Sequence, residues 1–286
     1  MSLLPTTNAN GLPIIPMTDA QKYLFDVRGW LVIPGLLSAS ELEPIRAHMM
    51  AYLYNRDSLP LHLQDPFGGP GEILLDHPGI AGVLTEILSH PQLAAEDCYG
   101  FRYDHTGLSH RKAGFDNFSP HGGGGYFNLI GNSHFYQMLP GRVHAGLTRV
   151  AFELNEIGPG DGGTMFLSGS HKAAYPRPAE ISGRESDVWD TYTCPAGSAV
   201  IFTEAICHTG TRWTNAERDR LTLFSCYCAV NEKWSKGGYP NREVIAAMAP
   251  KRKTLYRGIW CGGGPSPASN LYYDEHNEAL NPYVSG

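Results

Sequence analysis

The chain has 286 residues, 42% hydrophobic and 17% charged, with a net charge of −6. That length buries a full core, and 33 glycines and 21 prolines favour many turns and short strands. No dense Lys/Arg run offers a groove to a nucleic-acid polymer. No apolar run approaches the ~20 residues of a membrane span, and the start, MSLLPTTNANGLPIIP, lacks the basic end and apolar centre of a signal peptide.

The six cysteines, at 98, 194, 207, 226, 228 and 261, include no CxxC pair. They read as free thiols of a reducing, cytoplasmic protein. Residues 1–17 read as a loosely attached arm. Thr18-Asp-Ala-Gln21 is a capping box for a helix ending near Gly29, and Trp30-Leu-Val-Ile33 is a strand stopped by Pro34-Gly35. Ser38-Ala-Ser-Glu41 opens a second helix, with Leu42, Ile45, Met49 and Leu53 on one face. Residues 57–80 are irregular, and 80–88 repeat apolar positions at helical spacing. A strand is expected over 99–103. A polar loop carrying His105, His110 and His121 follows over 104–125. Strands are expected at 147–154, 164–167, 198–202 and 221–227. Residues 231–286 read as a covering segment whose aromatics Trp234, Tyr239, Tyr256 and Trp260 could close over a substrate. Helices first, then many short strands, predict a mainly β fold with flanking helices: a helical layer on a double-sheet barrel or jelly roll. The core domain is expected over 18–230.

Chemistry is expected where a histidine follows one buried strand and an arginine opens the next. His208 comes just after 198–202, and Arg220 begins 221–227. A two-His-one-carboxylate iron site places His-x-Asp/Glu on one strand and a second histidine much later. The x spacing of one lets both side chains share a face. His121 fits the early position, but Gly123 stands where the carboxylate is expected. Three readings stay open. The third position takes an exogenous ligand such as chloride; a carboxylate from elsewhere (Asp104, Asp116, Glu153 or Asp161) folds in; or there is no iron and His121 is a loop histidine.

Several motifs resemble the phytanoyl-CoA dioxygenase family of Fe(II)/2-oxoglutarate oxygenases, over residues 18–230. These are Arg28-Gly-Trp-Leu-Val-Ile-Pro34, Asp161-Gly-Gly-Thr-Met-Phe-Leu-Ser-Gly-Ser-His-Lys172, Ala196-Gly-Ser-Ala-Val-Ile-Phe202 with His208, and Arg220-Leu-Thr-Leu-Phe-Ser-Cys-Tyr227. The resemblance implies a double-stranded β-helix of the jelly-roll or cupin type. It implies Fe(II), 2-oxoglutarate and O2, and a small-molecule substrate oxidised at a C–H bond. It implies His121 and His208 as metal ligands. Arg220 would grip the far carboxylate of 2-oxoglutarate with Thr222 beside it, and Arg218 is the rival arginine. His-x-Gly at 121–123 resembles the halogenases of the wider superfamily, so chloride beside Gly123 and chlorination is the expected outcome. Hydroxylation is the alternative, and a non-catalytic ligand-binding barrel is the reading from another class. His144, Phe152 and Trp213 are candidate pocket residues, and His171 is expected to be structural.

Overall fold

The computed structural model describes residues 4–123, 134–235, 240–259 and 264–265. The chain splits into two compact units. One comprises Met1–Met17, Glu43–Thr106 and Ser225–Gly286, and the other Thr18–Leu42 and Gly107–Phe224. The architecture is mainly β with flanking helices. Among the described residues no helix is long and apolar enough to cross a membrane. The five described cysteines are buried and free; Cys261, Tyr239 and Trp260 lie outside the described residues.

In the second unit, α1 (Asp19–Arg28) starts at the Thr18 capping box and ends at Gly29, whose φ is 82°. Strand β1 (Trp30–Ile33) follows. Helix α2 spans Ala39–Asn55 and α3 spans Pro78–Leu88. Strand β2 runs over Phe101–Arg111, so much of the expected polar loop is strand. Its polar positions misled the sequence pattern because the strand buries Arg102 and Asp104, whose partners are remote in sequence. Arg102 donates to the carbonyls of Arg257 and Glu232, and Asp104 accepts from the amides of Trp234 and Ser235. The remaining strands are β3 (Gln137–Leu139), β4 (Arg142–His144), β5 (Thr148–Glu153), β6 (Thr164–Leu167), β7 (Ser198–Thr203), β8 (Cys207–Gly210) and β9 (Arg220–Ala229). The covering segment carries two short helices, α4 (Arg242–Ala247) and α5 (Pro250–Lys253). Tyr256 is buried against Tyr103 at 5.1 Å and so is core, not a lid residue. The N-terminal segment is pinned: the amides and hydroxyls of Thr6 and Thr7 donate to Glu96, and the Ala9 amide donates to Asp76.

The main sheet runs in the order β1-β7-β5-β9-β2, and β6 pairs with β8 in a second sheet. Directly opposed residues share a face. The register sets Trp30 and Arg149 on either side of Phe202, Val32 and Ala151 on either side of Val200, and Glu153 opposite Ser198. On β6–β8, Phe166 opposes His208. The two faces meet through aromatic rings: Trp30 stacks on Phe166 at 4.9 Å, and Phe166 meets Phe202 edge-on at 5.0 Å. This aromatic core brings one face of His208 against Phe202 at 4.9 Å.

Gly29 shows why the family-like segment at 170–172 holds this corner. A Cβ there would lie 2.6 Å from His171 Nδ1. The His171 ring is bonded to the Asp26 carbonyl at 3.0 Å, and Lys172 pairs with the Asp26 carboxylate at 2.6 Å. Gly29→Ala combines a left-handed backbone with a displaced buried ring. It is expected to cost roughly 2–4 kcal/mol, read as a lower unfolding midpoint in urea.

Candidate metal and cosubstrate site

His121 and His208 come from segments far apart in sequence and are joined as an antiparallel bridge. The His121 amide donates to the His208 carbonyl at 3.0 Å, and the His208 amide donates back at 2.8 Å. Opposed residues of such a pair project to the same side, and the two ring centroids are 4.2 Å apart. His121 Nδ1 contacts the Ser119 carbonyl at 2.8 Å, and His208 Nδ1 contacts the Ile206 carbonyl at 3.0 Å. A carbonyl only accepts, so each Nδ1 carries the proton. Each Nε2 is left with its lone pair, the form in which imidazole binds a metal. Burial is the main force pushing the His208 pKa down to about 4; Glu204 opposes it and His121 adds to it. His208 is buried, whereas His121 is exposed.

Gly123 sits where a side chain would meet packed neighbours. Its φ is 70°, and a Cβ there would lie 2.6 Å from Cys207 Cβ and 3.1 Å from Ser170 Oγ. Its amide donates to the Ala205 carbonyl at 2.9 Å. The glycine is therefore accounted for by close backbone approach. The four carboxylates considered as substitutes are committed elsewhere. Asp116 pairs with Arg184, and Asp161 accepts from the Gly158 amide, Asn215 and Arg218. Asp104 is held in the other unit by backbone amides, and Glu153 is bound to Arg220.

The carboxylate beside His208 is Glu204, four residues before it. Its Oε2 lies 3.7 Å from His208 Nε2, and its Oε1 accepts from Arg149 Nε. Burial resists its charge, yet Arg149, then His208 and His134, hold its pKa down to about 2. Among the described residues no three His, Cys, Asp or Glu side chains form a preassembled metal cage. The two bare Nε2 atoms nevertheless fit an Fe(II) ion.

Arg220 opens β9 fully buried, and Thr222 follows on the same face. Both converge on Glu153. Arg220 donates to its two oxygens at 2.5 and 3.1 Å, Thr222 donates at 2.6 Å, and the Tyr192 hydroxyl donates at 2.6 Å. Burial works against the Arg220 charge, but Glu153 holds it protonated. Arg111 completes the neighbourhood. Its pKa is pushed down to about 10, first by burial and then by the Arg220 charge, with Glu153 opposing. The Arg111 guanidinium adds positive charge around the Arg220–Glu153 pair, and that surplus fits a second carboxylate such as that of 2-oxoglutarate.

The other candidates separate from this cluster. Arg218 is a turn clamp, paired with Asp161 at 2.9 Å and Glu156 at 3.3 Å. Trp213 is core and donates to the Arg218 carbonyl at 2.7 Å. Phe152 is buried but alternates away from the face carrying Arg149, Ala151 and Glu153. His144 ends β4 opposite Gln137. Sequence reasoning missed Glu204, Arg149, Arg111 and Tyr192. The one available signal was a lone Glu directly after an apolar run and one helical-turn length before His208.

The phytanoyl-CoA dioxygenase (PhyH) family model matches residues 25–220. Among solved structures, HygX from Streptomyces hygroscopicus with nickel and 2-oxoglutarate bound is similar at 20% identity. That match covers 86% of this chain and 96% of that one, with a TM-score of 0.60. SnoK, a non-heme alpha-ketoglutarate-dependent carbocyclase from nogalamycin biosynthesis, is similar at 15% identity, covering 79% and 87%, with a TM-score of 0.53. EctD from S. alaskensis, in its apoform, is similar at 18% identity, covering 82% and 85%, also with a TM-score of 0.53. No curated protein matches by sequence. The structural likenesses show a shared fold, and the family match extends over most of the chain: it belongs to the phytanoyl-CoA dioxygenase (PhyH) family and is an oxidoreductase.

Proposed function

We propose that the protein oxidises an unactivated C–H bond of a small molecule, with Fe(II) held by His121 and His208 and O2 as co-reactant. The observation that carries this is the pair of Nε2 lone pairs turned to one side by the bridge between 121 and 208. The far carboxylate of 2-oxoglutarate is received by Arg220 and Thr222, with Arg111 adding charge. Bound at these residues, Fe(II) and 2-oxoglutarate would supply with O2 the oxidant for the C–H bond, with succinate and CO2 as the co-products. The protein's part is to orient both histidines through carbonyl bonds, keep His208 neutral and place a positive charge opposite the cosubstrate. HygX is described with hygromycin B bound, so free small molecules are the first substrates to screen.

Chlorination is the second reading, favoured by the absence of a carboxylate at Gly123. The packing of Cys207 and Ser170 around that glycine accounts for it without a halide. The test is succinate formation from 2-oxoglutarate by metal-free protein reloaded anaerobically with Fe(II) and then exposed to O2. Succinate no greater than in the metal-free control defeats the reading. Once a substrate is found, the same assay with chloride present separates the outcomes. Oxygen from O2 in the product supports oxygen transfer, and chlorine in the product supports halogenation.

A further inference from the structure

We propose that Glu204 is the third protein ligand of the metal, replacing the carboxylate that the His-x-Gly segment lacks; this rests on the His121/His208 reading above. The first support is the contact itself. Glu204 Oε2 and His208 Nε2 face each other at 3.7 Å. Both atoms carry lone pairs once His208 Nδ1 has donated to the Ile206 carbonyl. That distance is too long for a hydrogen bond. Two ligand atoms about 2.1 Å from one ion, at angles of roughly 90–120°, stand about 3.0–3.6 Å apart. A cation between them turns an unfavourable opposition into two bonds with only a small adjustment.

The second support is how the carboxylate is held. Arg149 engages Oε1 alone and leaves Oε2 directed at the ring. Ligating carboxylates are commonly oriented this way by an outer hydrogen bond. Arg149 is itself fixed by the faces of Phe202 and Phe224, at 6.0 and 5.6 Å. The third support is the backbone. The Glu204 amide donates to the Leu147 carbonyl at 2.7 Å, and the Gly123 amide donates to the Ala205 carbonyl at 2.9 Å. The turn between β7 and β8 is thereby tied to both β5 and the His121 segment. The carboxylate is buried, so its charge is poorly served by water and well served by a divalent ion.

The metal motif of this chain is then His121 with Glu204-x-x-x-His208. The two histidines and one carboxylate are complete without a halide, and the chemistry is directed to oxygen transfer.

Co(II) titration of the metal-free full-length protein, followed by its visible d–d bands and by calorimetry, tests the assignment without turnover. Wild type is expected to bind one Co(II) with a d–d spectrum that reports three protein ligands. Glu204→Gln is expected to bind at least about tenfold more weakly and to show bands displaced from those of wild type, because the anionic oxygen has left the metal. The double variant Arg149→Gln/Glu204→Gln removes both charges together and guards against a folding failure; it is expected to behave like Glu204→Gln. Wild-type affinity together with wild-type bands in either variant overturns the assignment while leaving the histidine site intact. No Co(II) binding by wild type, or binding unaffected by His208→Ala, instead overturns the oxygenase reading on which it rests.

Discussion

Replacing His208 by alanine is expected to abolish Fe(II) binding and Fe(II)-dependent succinate formation together. His121→Ala is expected to do the same, each with a loss of at least about 100-fold. The two variants should differ in stability. His208 is buried at 4% exposure, packs on Phe202 at 4.9 Å and sits on β8 within the second sheet. Truncating it leaves a cavity beside the aromatic core and is expected to cost roughly 2–4 kcal/mol. His121 is exposed, so its truncation should leave the unfolding midpoint nearly unchanged. The backbone bridge between 121 and 208 survives both changes because it uses main-chain groups alone. Activity lost equally with stability lost unequally is the pattern of a shared metal. The measurements are iron content after anaerobic loading, succinate formation and urea unfolding. Near-normal turnover in His121→Ala would remove the exposed histidine from the site.

The parts of this fold legible from sequence were those whose burial is written locally. The runs at Ser198–Thr203 and Thr148–Glu153 declare themselves through apolar and β-branched residues between turn signals. Helix α1 does so through its capping box. Strand β2 was not legible, because its buried Arg102 and Asp104 look like surface residues until partners more than a hundred residues away are known. Helices α4 and α5 were missed because six and four residues are too short for a periodic signal. Sequence reasoning singled out His121, His208, Arg220 and Thr222 as candidates, and the structure sets His121 beside His208 and brings Arg220 and Thr222 together on Glu153. It did not show that Arg220 already has a carboxylate partner, since pairing across strands β5 and β9 depends on sheet order. It also gave Gly123 a chemical meaning, although the contacts with Cys207 and Ser170 that explain that glycine are tertiary. Glu204 stayed hidden for the same reason: a single Glu after an apolar run reads as a strand end.

The pairing of Arg220 with Glu153 gives the second large expected effect, and it separates structure from cosubstrate binding. Arg220→Leu strips Glu153 of its charge partner in a site where Glu153 is 0% and Arg220 1% exposed. The hydroxyls of Thr222 and Tyr192 still donate to the carboxylate, but neither carries compensating charge. Removing one member of a buried pair is expected to cost about 3–5 kcal/mol. For a chain of this size that is roughly a 10 °C drop in Tm. The double variant Arg220→Leu/Glu153→Leu removes both charges and is expected to recover most of that loss, because a buried pair exchanged for apolar groups of similar volume is nearly neutral. Binding of 2-oxoglutarate should not recover with stability. Without the Arg220 fork, the cosubstrate carboxylate keeps the Thr222 hydroxyl but has for charge only Arg111, already bonded to Ser109 and Asn117. A stable double variant that fails to bind 2-oxoglutarate in calorimetry assigns Arg220 to the cosubstrate. A stable double variant that binds it normally makes Arg220–Glu153 a purely structural pair and transfers the anchoring role to Arg111.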